Sequence, residues 1–221
     1  MIDFKDNIND SALQRKFMIE RDLRGSGITD PAVLRAMGQL PREAFVPPKY
    51  ASSAYVDGPL PIGLGQTISQ PYIVALMTQK LRLNQDCTVL EIGTGCGYQA
   101  AVLAKIAKRV YTIERLAQLS EMAQAILGNL RISNVEFAIG DGSKGWPGGG
   151  KFDRIIFTAA VPTLPDCYAE QLNEGGIIVG PVGESMVQTL YSYEKIEGRL
   201  KRTFICDVRF VKLIGEYGFS E

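Results

Sequence analysis

The sequence predicts an α/β fold: a doubly wound, mostly parallel sheet with an antiparallel C-terminal hairpin at one edge and helices in front. Three observations carry this. From residue 88 onward short β-branched runs alternate with helix-length runs, as in TVLEIG, YQAAVLAKIA, RVYTIE and LAQLSEMAQAILGNL. Such alternation requires right-handed βαβ crossovers and parallel pairing. The chain before it shows helical spacing, and the chain after residue 184 switches to two period-2 runs meeting at Glu197-Gly198, a hairpin signal.

The elements follow in order. From about residue 10 to 50 the chain reads as helices: SALQRKFMIERDLRG stops at a glycine, and in ITDPAVLRAMGQL Asp30 stands as N-cap with Pro31 at the first helical position. FVPPKYASSAYVDGPLPIGLGQ is rich in proline and glycine and predicts a long irregular segment, of the kind used as a binding loop or lid. YIVALMTQKL is a helix. After the first two βα units, NVEFAIGD and FDRIIFTAA are the third and fourth strands, LPDCYAEQL a short helix and GGIIVGPVG the fifth strand. We expect a single domain over 1–221: N-terminal helices and a loop in 1–87, a βαβ core in 88–183, and C-terminal strands in 184–221.

Bulk properties narrow the chemistry. The 221 residues suffice to bury a sizeable core. Lys plus Arg and Asp plus Glu are both 24, so no basic excess predicts nucleic-acid binding. No apolar run approaches the roughly 18 residues of a membrane span, and the opening MIDFKDNIND is acidic and polar, unlike a signal peptide. The cysteines, Cys87, Cys96, Cys167 and Cys206, have no CxxC spacing, so a reducing cytoplasm is expected, with no zinc ribbon and no disulfide scaffold. Histidine is absent, which removes histidine triads and HExxH metal sites; no metal is expected.

The turn after the first core strand reads Glu91-Ile-Gly93-Thr94-Gly95-Cys96-Gly97. A dinucleotide turn places its third glycine one residue later, where Tyr98 stands. GxGxG with an acidic residue two positions ahead resembles the nucleotide turn of class I (Rossmann-like) methyltransferases, which implies S-adenosylmethionine as cofactor and S-adenosylhomocysteine as product. Glycines there bring backbone close to the adenosyl and methionyl parts. Glu114 ends the second strand and can accept from both ribose hydroxyls; Asp141 and Gly142 end the third, where the adenine edge is expected. Each of these also has a purely structural explanation, as strand-end, cap or turn residue. Their register across successive βα units favours the cofactor.

YVDGPLPIGLGQTISQPYIVALMTQKL, VLEIGTGCGYQAAVLA, GDGSKGWPGGGKFDRIIFTAAVP and PREAFVPPKYASSAY together resemble protein-L-isoaspartate O-methyltransferases, over about residues 10 to 215. GQTISQP is the most specific of these segments. The resemblance implies methyl transfer to the α-carboxylate of isoaspartyl residues in damaged proteins and peptides, and acceptance of D-aspartyl residues as a further option. The ester then closes to a succinimide that reopens partly to aspartate. A carboxylate of pKa ~4 is ionised at neutral pH and needs no base, which suits a chain without histidine.

Within that resemblance Ser69 is the catalytic residue, and it also stands where it would cap YIVALMTQKL. Gln66, Thr67 and Ile68 are expected beside the substrate, as are Val208 and Phe210 with Arg209 on a strand running along the peptide. Asp57 is expected to orient the loop, contact substrate or form an Asx-turn; Thr158, Ala159 and Ala160 end the fourth strand near the transfer point, leaving room for the acceptor or packing closely; and Trp146 is a packing anchor rather than a substrate contact. Cys96 replaces the usual serine of relatives, and Lys212 a common proline. A monomer acting on isoaspartyl proteins, with no nucleic-acid or membrane partner, is expected. Two other readings are a class I methyltransferase with a different acceptor and a non-catalytic cofactor-binding scaffold.

Overall fold

The computed structural model describes residues 11–184 and 186–220; the opening stretch MIDFKDNIND lies outside them. The chain starts with α1 (Ser11–Phe17), which runs on through a π-helical turn at Met18–Leu23. α2 (Pro31–Gln39) follows, and Asp30 caps it: Oδ1 accepts from the Ala32 N–H at 2.8 Å and the Val33 N–H at 3.4 Å. The segment expected to be irregular instead contains a 3-10 helix at Pro48–Ser53 and a two-stranded antiparallel hairpin, β1 (Leu60–Gly63) and β2 (Gln66–Ile68). The two turn residues Leu64 and Gly65 both have positive φ, 51° and 71°, so the strands close through a mirror-image two-residue turn. Proline and glycine content pointed to irregularity because a strand of three or four residues has no periodicity to detect.

α3 (Pro71–Lys80) leads to the core sheet: β3 (Thr88–Ile92), α4 (Tyr98–Ala104), β4 (Arg109–Glu114), α5 (Ala117–Asn129), β5 (Val135–Ile139), β6 (Phe152–Phe157), α6 (Cys167–Glu170), β7 (Leu172–Val182), β8 (Gln188–Ile196) and β9 (Arg199–Val208). Strand order is β5-β4-β3-β6-β7-β8-β9. The first five pair in parallel, and β7-β8-β9 are antiparallel. The Glu197-Gly198 turn has φ of 51° and 74°, as its hairpin signal required.

Central β3 is buried on both faces and splits its side chains between two cores. Val89 joins α2, α3 and α4 on one side, whereas Leu90 and Ile92 join Phe157, Tyr168 and Trp146 on the other. Each such fully buried aliphatic side chain contributes about 1.5–3 kcal/mol. α4 and α5 cross over on the first face. The second is covered by α6, the Trp146 loop and the C-terminal residues around Leu213. Trp146 packs edge-on against Tyr111, with centroids 5.2 Å apart, as a packing anchor would.

Candidate active site

The chain winds outward from β3 through β4 to β5, then crosses back to β6 on the other side of β3 and continues to β7, so the winding reverses between β3 and β6. Ligands of open α/β sheets bind outside the carboxyl ends of the strands at such a reversal, and a cleft opens there. Its floor is the glycine turn. Gly93 has φ 95°, and a Cβ on it would stand 2.4 Å from Thr158 Oγ1. That hydroxyl donates to the Ile92 carbonyl at 2.9 Å and lies against the Gly93 carbonyl, stitching the end of β3 to the end of β6. Gly97 serves packing: a Cβ there would meet Leu127 Cδ1 at 2.9 Å and Ala123 Cβ at 3.0 Å, so the glycine lets α4 start directly against α5.

Gly93, Thr94, Gly95, Glu114 and Gly142 line the cleft; Glu91, Gly97 and Asp141 do not. Glu114 Oε2 accepts from the Gly95 N–H at 2.9 Å and Oε1 from the Leu116 N–H at 3.0 Å. A carboxylate offers about four lone-pair sites, so acceptor capacity remains at the cleft wall. Glu91 is fully buried behind the turn. Burial pushes its carboxyl up to about 8, against the hydrogen bond from Thr112 and with a further rise from Glu114. Thr112 Oγ1 donates to Glu91 Oε2 at 2.6 Å and meets Thr94 Oγ1 at 2.7 Å, so Glu91 reaches the cleft through two threonines. Its Oε1 has no partner.

At the end of the third strand the Asp141 carboxylate is bound by the chain itself. Its Oδ1 accepts from the backbone and hydroxyl of Ser143 at 2.8 and 2.6 Å, and Oδ2 from the Glu216 N–H at 2.8 Å. Burial alone would raise its pKa, but these bonds and nearby Lys144 outweigh it and hold the carboxyl below the usual range. The carboxylate is spent on the chain's own backbone, leaving the adjacent Gly142 to face the cleft.

A second cavity adjoins the first, and Thr67, Ser69, Thr158, Phe210 and Val211 belong to both. Gln66 and Ile68 face the first cavity, Val208 the second. Ser69 does not cap α3. The cap position is Gln70, without a side-chain cap, because the helix starts at Pro71. Asp57 takes the task from the preceding loop: Oδ1 accepts from the Tyr72 N–H at 3.0 Å and Oδ2 from Gln70 Nε2 at 2.6 Å. Ser69 Oγ is thereby left without a hydrogen bond among the described residues, while its carbonyl is gripped by Arg42 Nη2 at 2.8 Å.

The far wall is the chain's end. Beyond β9, the Phe210 N–H donates to Gln188 Oε1 at 2.9 Å. Val211 and Leu213 then pair with Ala160 across two bonds of 2.8 Å. Arg42, Thr112 and Gln188 carried no readable signal: each lies in an ordinary helix-start or strand context, and its role depends on partners remote in sequence. Cys96 lines the cleft as a buried, protonated thiol, its pKa pushed up to about 11 by burial.

The cleft tests well against S-adenosylmethionine. Gly93, Gly95 and Gly142 present backbone without side chains to the cleft, and Glu114 keeps acceptor capacity for hydroxyls.

Comparison with known proteins agrees with this geometry. The family model described as protein-L-isoaspartate(D-aspartate) O-methyltransferase matches residues 14–218. The protein-L-isoaspartate O-methyltransferase of Maricaulis maris is 50% identical over 200 residues, covering 90% of this chain and 94% of its own. That of Koribacter versatilis is 50% identical over 209 residues, covering 95% and 94%. A Plasmodium falciparum protein-L-isoaspartate O-methyltransferase, solved in complex with S-adenosyl-L-homocysteine, superposes with a TM-score of 0.79 at 26% identity, covering 90% of this chain and 98% of its own. Matched by the family model over residues 14–218 and 50% identical to these relatives over 90% or more of its length, the chain belongs to the protein-L-isoaspartate(D-aspartate) O-methyltransferase family.

Proposed function

We propose that this protein is a repair enzyme that methylates the α-carboxylate of L-isoaspartyl residues in damaged proteins and peptides. The observation that carries the reading is the junction of the two cavities at Ser69, Thr67, Thr158 and Phe210. When bound in the first cavity, S-adenosylmethionine supplies an electrophilic methyl group on a sulfonium sulfur. Gly93, Thr94, Gly95, Glu114 and Gly142 hold it, with Glu91 bracing Thr94 from behind, Gly97 seating the helix that follows and Asp141 fixing Gly142. The acceptor is ionised at neutral pH, so no residue has to remove a proton, and Ser69 needs no activating base.

Ser69 Oγ donates to the acceptor carboxylate and orients it. Gln66, Thr67 and Ile68 shape the near wall; Val208 and Phe210 lie along the bound peptide and exclude water. Alignment of this kind supplies roughly 7–11 kcal/mol of a transfer barrier. D-Aspartyl residues fall within the same chemistry, because their free carboxylate is likewise displaced from its normal place. We read 1–221 as a single methyltransferase domain, acting as a monomer on protein and peptide substrates and not on nucleic acid. Its free cysteines suit a reducing cytoplasm, and no helix among the described residues is long and apolar enough to cross a membrane.

The deciding experiment incubates the protein with methyl-labelled S-adenosylmethionine and paired peptides that differ in a single isoaspartyl or aspartyl residue. Label is expected in the isoaspartyl peptide as a base-labile ester. Equal labelling of both peptides, or of neither, would overturn the reading.

A further inference from the structure

Arg42 is fully buried. Its Nε donates to the Ala54 carbonyl at 2.7 Å and Nη2 to the Ser69 carbonyl at 2.8 Å. Among the described residues Nη1 has no hydrogen-bond partner. The guanidinium carbon lies over the Tyr98 ring, 4.7 Å from its centroid. Among the described residues no ion pair includes it. The acid next to it in sequence, Glu43, is engaged by the Tyr55 hydroxyl. Burial lowers the guanidinium's pKa from its ordinary value, while Tyr98, Cys96 and Tyr55 act the other way; an arginine nevertheless stays protonated at neutral pH.

A buried charge is ordinarily paired with its opposite, because desolvation is expensive. Here two carbonyl dipoles and one aromatic face compensate in part, and the net positive charge remains. Its place gives it a use. Tyr98, Cys96 and Ser69 all line the cofactor cleft, Ser69 also lines the acceptor cavity, and Arg42 sits behind them in water-excluded surroundings where charge is screened least. Resting on the isoaspartyl reading above, we infer that Arg42 is the built-in counter-charge of the acceptor site, a positioning residue that acts through Ser69 and makes the site prefer a carboxylate over a neutral carboxamide. It does not touch the acceptor. It fixes the Ser69 backbone and supplies the positive potential into which an anion, and not its uncharged isostere, is drawn.

The test measures binding to the enzyme with S-adenosylhomocysteine bound, using two peptides of one sequence that carry either an isoaspartyl residue or its α-carboxamide counterpart, isoasparagine. The native protein is expected to favour the isoaspartyl peptide strongly. In Arg42→Met that preference falls at least about tenfold, with S-adenosylhomocysteine still bound at near-native affinity as the check on folding. A loss of affinity for both peptides by the same factor would show Arg42 to be structural and overturn the inference. Should Arg42→Met not fold, the native protein still decides. A sealed cation is barely screened, so the preference is expected to persist between about 50 and about 500 mM salt. A preference that collapses with salt would assign it to exposed cations such as Arg209 and overturn the inference equally. Failure of the isoaspartyl reading is separately visible, since the native enzyme would then not distinguish isoaspartyl from aspartyl peptides at all.

Discussion

At the scale of single residues, Ser69 shows how a position can be found while its local physics is misjudged. A serine two residues before a proline-started helix looks like a cap, but the cap position is Gln70 and the exposed amide of Tyr72 is satisfied by Asp57. The hydroxyl that would have been spent on the helix is left at the junction of two cavities. Two consequences separate the roles. Loss of a capping bond costs about 1 kcal/mol, whereas removal of an unbonded hydroxyl leaves stability within about 0.5 kcal/mol. Loss of a hydrogen bond to a charged acceptor costs about 1.5–3 kcal/mol, or roughly 10- to 150-fold in rate. Ser69→Ala is therefore expected to keep its melting temperature and its affinity for S-adenosylmethionine while methyl transfer falls by that factor. A parallel drop in cofactor affinity, measured by calorimetry, would remove Ser69 from the acceptor side.

At the scale of elements, legibility followed length and periodicity. The five core strands were readable because β-branched runs alternate with helices, and the β8–β9 hairpin because a glycine turn separates two period-2 runs. The β1–β2 hairpin was not readable. Its strands are four and three residues long, and its turn is led by Leu64, a residue that avoids positive φ. No Asn-Gly or Asp-Gly pair announces it. The same feature yields a prediction. Leu64 is 52% exposed, so little packing opposes a change there, while a left-handed non-glycine residue costs roughly 1–2 kcal/mol. Leu64→Asn is expected to raise the melting temperature by about 2–4 °C. A fall on thermal denaturation would mean that the leucine side chain gains more from its contacts than it loses in the turn.

At the scale of the whole molecule, the site draws on segments that no local window joins: Arg42 behind it, Ser69 between the cavities, the Gly93 turn and Glu114 below, and residues 210–214 above. The glycine turn was legible because its spacing is short and its conformation demanding. Of the C-terminal wall, Val208, Arg209 and Phe210 were anticipated through the family resemblance, whereas the course of residues 211–214 was not, because it is set by bonds to remote partners. Asp141 is the clearest case. Expected at the adenine edge through its carboxylate or its backbone, it uses the carboxylate to fasten the tail: Oδ2 holds the Glu216 N–H, and Ser143, which Asp141 orients, accepts from the Tyr217 N–H at 3.0 Å. The tail continues directly from the residues that wall the cleft, so loosening it at Asp141 should loosen the cofactor. Asn in place of Asp141 can still accept from Ser143, but the group facing Glu216 becomes a donor opposite a donor. Asp141→Asn is thus expected to cost about 1–3 kcal/mol and to weaken S-adenosylhomocysteine binding, with faster proteolysis confined to the last residues. The acid limb supplies a further check. The folded-state pKa of Asp141 is depressed, so the stability it contributes is complete above the ordinary aspartate value near ~3.9. That contribution disappears as pH falls through the lower folded value. Acid unfolding of the variant should accordingly begin from a lower stability and depend less steeply on pH below about 4; an unchanged acid profile, with native cofactor affinity, would show that the tail is held without Asp141.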